Sequence, residues 1–421
     1  MFKSGLYTVL LLSILFLAMP TRVCAYSVLT HQAIVDASWQ QSILPLLKVK
    51  YPGSSDSALE RAHAYAYGGA ISPDMGYFPF GSKLFTDLVH YIRSGDFVNT
   101  LLREARDVNE YAFALGSLCH YMADKHGHLL GTNRCVPLLY PKLKTKYGNV
   151  ITYEEDQLSH KRLEFSFDVL QLARGNYATQ AYHDFIGFQV SRPLLERSFI
   201  SIYGLDINKV FGNLSLAIES FRWSVKNLFP ALTRAAWAMK KGEILKATPT
   251  ATSKSFRYRM KRANYYQEFG KAHRRPGVLA TSLAWLIRIS PKVGPLRALK
   301  LKTPSPEVEK IFIESFDSSL ARANLAIRAL RTHASTLSNI DFDTGLPTER
   351  GEYDMADVSH DNLLLRLHDD HFAYLTSALK KNLLGFYSTA PGTNAYKAKA
   401  SDCAKVAAAL AALKAHSPTS P

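Results

Sequence analysis

Residues 111–130 read YAFALGSLCHYMADKHGHLL. The stretch has no proline, and its only glycines are Gly116 and Gly127, so it reads as a helix. At 100° per residue, His120, Asp124 and His128 fall at about 0°, 40° and 80° on one stripe, while His126 falls near 240° on the far side. Three nitrogen- and oxygen-bearing groups on an otherwise apolar helical face are costly to bury unless a cation pairs with them.

Working outward, the same i,i+4 spacing recurs in His160 and Glu164 of LSHKRLEF (158–165). Such a pair alone is commonly a helix-stabilising contact, and a lone histidine is more often packed or surface-exposed than a ligand. Upstream, Asp74 lies in the loop ISPDMG (71–76), His90 in FTDLVHYIRSGDF (85–97) and His31 in YSVLTH (26–31). No CxxC pair is present, so a metal here must rely on histidine and carboxylate ligands. Those donors without cysteine point to catalytic rather than structural zinc.

The order of these residues resembles that of the bacterial zinc-dependent phospholipases C and the related single-strand-specific zinc nucleases. It runs from the aromatic Tyr26 through His31, Asp74, His90, the HxxxD pair His120 and Asp124, then His128, to the HxxxE pair His160 and Glu164. The resemblance covers about residues 26–165 as motif and extends toward 235 as fold. It implies an all-α domain holding three zinc ions. Asp74, His90, His120 and Asp124 would bind one. The α-amine and carbonyl of Tyr26, with His31 and again Asp124, would bind a second, so that Asp124 bridges the pair. His128, His160 and Glu164 would bind the third.

Two departures stand out. The family's first residue is usually tryptophan, and here it is Tyr26; coordination through backbone atoms tolerates the change. The step from the bridging aspartate to the next histidine is four residues, whereas well-known secreted members have six; helical geometry favours His128, with His126 the alternative. The implied chemistry follows from charge. A phosphodiester is an anion that repels hydroxide, and zinc lowers the pKa of bound water from 15.7 to about 7, giving a zinc-bound hydroxide nucleophile at neutral pH. Asp74 is a zinc ligand or the general base, and the sequence leaves both open.

The 421 residues carry a net charge of +16, which suggests an anionic partner such as a phospholipid surface or a nucleic acid. Most of that charge is local: 236–302 holds 16 Lys or Arg against Glu243 and Glu268, interleaved with Phe256, Tyr258, Tyr265, Tyr266 and Phe269. At the N-terminus, Lys3 precedes an uncharged run of 14 residues, Leu6 to Met19, followed by Val23-Cys24-Ala25. This is the pattern of a signal peptide cut after Ala25, and it predicts export to the periplasm or the medium; an uncleaved anchor is the rival reading. The three cysteines left, Cys119, Cys135 and Cys403, form no disulfide framework.

The expected organisation is a signal peptide (1–25), an all-α catalytic domain (26–235), a basic aromatic-containing segment (236–306) and a helical C-terminal extension (307–421). Helical periodicity marks 96–123, 156–173, 307–335 and 363–384, and the alanine-rich 403–415 is a further helix candidate. His63 reads as a packing residue, and His368 with His371 as a solvated helix face despite their resemblance to a small metal cluster. The expected function is zinc-dependent hydrolysis of a phospholipid headgroup ester at the glycerol side. A nuclease on the same scaffold and a non-catalytic exported zinc- or membrane-binding protein are the rivals.

Overall fold

A computed structural model describes residues 27–173, 177, 187–228, 232, 301–332, 336–389 and 400–418. Tyr26, the signal-peptide segment and nearly all of the basic segment lie outside the described residues. The architecture is all-α. Among the described residues no sheet forms, and extended pairing is limited to a bridge between Ile340 and Pro347. No described helix is long and apolar enough to cross a membrane.

The principal helices are α1 (Val28–Ser38), α2 (Asp56–Ile71), α3 (Lys83–Tyr91), α4 (Ser94–Glu104), α5 (Val108–Gly127), α6 (Gln157–Ala173), α7 (Arg192–Tyr203), α8 (Pro306–Ala329), α9 (Asp354–Asp369), α10 (Ser377–Ser388) and α11 (Ala400–Ala415). Helix α5 is the axis of the molecule, buried on nearly every side from Glu110 to Asp124. Its start is defined by Asp107, which accepts from the backbone N–H groups of Asn109 and Glu110 at 2.8 and 2.9 Å. Phe113, Leu115 and Leu118 are fully buried along it, each stabilising the fold by about 1.5–3 kcal/mol relative to exposure.

Helices α2 and α5 cross at very short range, because glycine stands on both sides. A Cβ on Gly69 would meet the Phe113 carbonyl oxygen at 1.9 Å, and one on Gly116 would meet that of Ala66 at 1.9 Å. Helix α1 packs on the same pair, and α6 pins its start: Asp168 accepts from Leu29 N–H at 3.1 Å and from the Thr30 hydroxyl at 2.8 Å. A carboxylate at the N-terminus of α1 also meets the positive end of its helix dipole.

The C-terminal residues are built onto this core. Helix α8 runs along α5, and Phe312 of α8 stacks on Phe167 of α6 with ring centroids 3.9 Å apart. Helix α9 packs on α3, and α11 on α9 and α10. The periodic stretch 363–384 is two helices, not one. Positive φ angles at His371 and Phe372 reverse the chain, and the Thr376 hydroxyl then accepts from Leu379 N–H to start α10. Likewise 96–123 divides into α4 and α5 at the Asp107 cap.

Candidate metal centre

Three buried groups of histidine and carboxylate converge inside the bundle, each with ligand atoms within 4.8 Å of one another: His31, His120 and Asp124; Asp74, His90 and His120; and His128, His160 and Glu164. Eight of the nine residues singled out in the sequence therefore fall into these groups; the ninth, Tyr26, lies outside the described residues.

The first two groups form one cluster. His120 Nε2 is 3.1 Å from Asp124 Oδ2, and His90 Nε2 is 3.4 Å from the same oxygen. His31 Nε2 is 3.4 Å from the other oxygen, Oδ1. Asp124 thus presents one oxygen to each side. Asp74 does the same, with Oδ1 3.4 Å from His90 Nε2 and Oδ2 3.8 Å from His31 Nε2. All five side chains are buried.

Backbone carbonyls aim the imidazoles. His120 Nδ1 donates to the Ala70 oxygen of α2 and His90 Nδ1 to the Thr86 oxygen, both at 2.8 Å. With Nδ1 protonated, each ring turns a bare Nε2 inward, and these two nitrogens lie 3.4 Å apart. Two facing lone pairs repel unless a cation or a proton sits between the rings and the carboxylates. Where a proton fills that role, burial alone would lower the His90 pKa, but hydrogen bonds to Asp124 and Asp74 carry it up to about 10. Burial opposes ionisation of Asp124 too, yet His120 and His31 hold its carboxyl well below the usual range. Burial and the neighbouring His120 push His31 down to about 4.

The third group sits where α5 ends. The α-helix stops at Gly127, and His128 opens a π-helical turn over 128–132 that carries its side chain toward α6. There His160 Nδ1 is 3.9 Å from Glu164 Oε1, while His160 Nε2 donates to the Ile151 oxygen at 2.8 Å. His128 Nδ1, His160 Nδ1 and both Glu164 oxygens are buried without a hydrogen-bond partner among the described residues. Burial drives the Glu164 pKa well above the usual range and His160 down to about 3. Neutral imidazole and a carboxyl that gives up its proton to a cation are the states a metal selects.

His126 takes no part in these groups; it is half-buried, and burial with Lys125 and Arg322 lowers its pKa to about 4. His63 is buried between the rings of Trp39 and Tyr67, with Asp36 Oδ1 3.5 Å away. His368 and His371 are exposed and join none of the described groups. Cys119 and Cys135 are buried free thiols.

Sequence reasoning missed the contribution of 338–353. Phe342 lies against His90 and His120, with ring centroids 5.1 and 5.8 Å away, and Asp343 Oδ1 is 3.2 Å from His128 Nε2. These residues sit on an irregular segment between α8 and α9, where no helical spacing marks them.

Among the described residues, clustered histidines and carboxylates with unpartnered buried donor atoms, and no cysteine in the groups, are the setting of a metal site. Residues 30–213 match the family model described as zinc dependent phospholipase C, so this segment of the chain is similar to that family. It is a zinc-dependent phosphodiester hydrolase. No curated protein and no solved structure matches the chain.

Proposed function

We propose that this is an exported phospholipase C that uses three zinc ions to hydrolyse a phospholipid headgroup phosphodiester. The observation that carries the reading is the shared cluster: His120 belongs to two ligand groups, and Asp124 turns one oxygen to each. One zinc would be held by Asp74, His90, His120 and Asp124. A second would be held by His31, Asp124 and the α-amine and carbonyl of Tyr26. A third would be held by His128, His160 and Glu164. Bound zinc supplies Lewis acidity toward phosphate oxygens and brings the pKa of water to about 7.

The chain's own work is positioning. The carbonyls of Ala70, Thr86 and Ile151 each hold one imidazole in the tautomer that turns its other nitrogen toward the ligand group. Both oxygens of Asp74 face histidines, which supports ligation rather than service as a free base. The cluster is buried, so the charge of zinc ions held there would be weakly screened and would attract a phosphate anion.

The test is a side-by-side assay of mature protein, loaded with zinc, on phosphatidylcholine, phosphatidylinositol and single-stranded DNA. Release of a phosphorylated headgroup and diacylglycerol supports the reading. Cleavage of DNA with inert lipids would reassign the scaffold to a nuclease, and zinc analysis finding fewer than three ions per chain would remove the trinuclear arrangement.

A further inference from the structure

We propose that Asp343, from the C-terminal region, is a positioning residue of the third zinc site: it fixes His128 in the tautomer that ligates through Nδ1. The proposal rests on the three-zinc reading above. Asp343 Oδ1 lies 3.2 Å from His128 Nε2, a distance at which a protonated Nε2 donates to the carboxylate. The other ring nitrogen, Nδ1, is buried without a hydrogen-bond partner among the described residues, and His128 groups with His160 and Glu164. A carboxylate accepting from one nitrogen of an imidazole whose other nitrogen meets a metal is a common outer-shell device. It sets ring orientation and makes the ligand more basic.

The carboxylate is itself fixed. Its Oδ2 accepts from the phenol of Tyr91 at 2.9 Å and from the phenol of Tyr353, and the residue is 3% exposed. Its backbone oxygen accepts from Asn133 Nδ2 at 2.7 Å. The segment leading to it is fastened to the catalytic helices as well. Tyr121 of α5 donates to the Ser338 oxygen at 2.8 Å. Ser94 of α4 donates to the Ile340 oxygen at 2.7 Å and accepts from Ile340 N–H at 3.1 Å. Phe342 N–H donates to the His90 oxygen at 3.2 Å. A side chain on Gly95 would collide with the Ser338 oxygen at 2.3 Å, so this approach requires glycine there. This many attachments would be superfluous for a peripheral strap. Asp343 lies beyond the matched segment 30–213, so the third site depends on residues that the family match does not include.

The test measures zinc stoichiometry by elemental analysis and site affinity by chelator competition, with cobalt substituted for zinc to report the ligand field. Wild-type protein is expected to hold three ions. Asp343→Asn should keep two at full affinity and bind the third about 10–100-fold more weakly, with shifted cobalt bands at that site alone. Tyr353→Phe, which removes one donor to the carboxylate without touching His128, should weaken the same ion in the same direction, and it carries the test if Asp343→Asn does not fold. Unchanged third-site affinity and spectrum in these variants would overturn the proposal. So would a loss in Asp343→Asn as complete as that in His128→Ala, because Asp343 would then be a ligand. Wild-type protein holding only two ions would overturn the three-zinc reading itself, and this shows before any variant is made.

Discussion

Replacing Gly116 by alanine should separate two helices that the metal cluster needs close together. The new Cβ would sit 1.9 Å from the Ala66 oxygen, 2.8 Å from its carbonyl carbon and 2.9 Å from Ala70 N, all backbone atoms that cannot rotate away. Reaching even the 3.0 Å floor for such contacts requires α2 and α5 to part by about 1.1 Å at this point. One turn on, His120 Nδ1 donates to the Ala70 oxygen at 2.8 Å, and beside it Ser117 donates to the Gly69 oxygen at 3.2 Å. A shift of about 1 Å takes both beyond hydrogen-bonding range. Overpacking costs about 1–3 kcal/mol and each lost bond about 0.5–1.5 kcal/mol, against a helix-propensity gain of about 1 kcal/mol. The net expectation is a loss of about 1–5 kcal/mol in urea denaturation of the metal-free protein. His120, released from Ala70, should also bind zinc about 10–100-fold more weakly. Gly53→Ala, with nothing within 4 Å of its Cβ, is the control and should change stability by less than about 0.5 kcal/mol. Wild-type stability and zinc affinity in Gly116→Ala would refute the claim that this crossing is sterically closed.

Further perturbations separate the remaining ideas. Asp124→Asn should disturb two zincs, since each carboxylate oxygen faces a different histidine set; elemental analysis showing loss of one would mean it does not bridge. A mature chain extended by Met-Gly ahead of Tyr26 should fold, hold about two zincs and lose most activity, because an amide replaces the α-amine; full zinc content and activity would exclude the amine as a ligand. Reversing the charges of Arg257, Arg259, Lys261 and Arg262 should weaken binding to anionic vesicles in a salt-sensitive way while sparing a short soluble substrate; equal loss on both would place them in folding or catalysis. His360, stacked on Phe386 with centroids 3.5 Å apart, has its pKa lowered to about 4 by burial. The unfolded chain therefore takes up a proton first, so this contribution is complete above about pH 6.5 and fades as pH falls toward 4, by about 3 kcal/mol at most. His360→Phe should flatten that limb of the pH–stability curve, and an unaltered limb would assign it to other groups.

Much of the fold was legible because helices repeat locally. The apolar run of 111–123 and the i,i+4 spacing of His160 and Glu164 both depend on residues within a few positions of one another. Boundaries were less legible. Nothing in apolar periodicity distinguishes one helix over 363–384 from two. The break depends on left-handed backbone at His371 and Phe372, which are not residues that advertise it. The tight crossing at Gly69 and Gly116 was also hidden, because a small residue shows its purpose only when the second helix is in place.

The candidate site divides along the same line. A ligand must be histidine or carboxylate, so its chemistry is visible in the residue type, and helical spacing then says which ligands share a face. The groups that orient those ligands carry no such mark. Three are backbone carbonyls, of Ala70, Thr86 and Ile151, to which side-chain identity is irrelevant. The fourth, Asp343, is one of two aspartates in IDFDTG (340–345), and its partner His128 is 215 residues away. Its neighbour Asp341 turns inward locally, accepting from Thr344 N–H at 2.7 Å, and so serves the turn rather than the site. Sequence pattern cannot tell these two carboxylates apart; only the packing of 338–348 against α3, α4 and α5 does. A metal site read from ligand spacing alone will therefore recover its donors and miss the residues that set their tautomers. Those residues decide whether each imidazole meets the metal with a lone pair or with a proton.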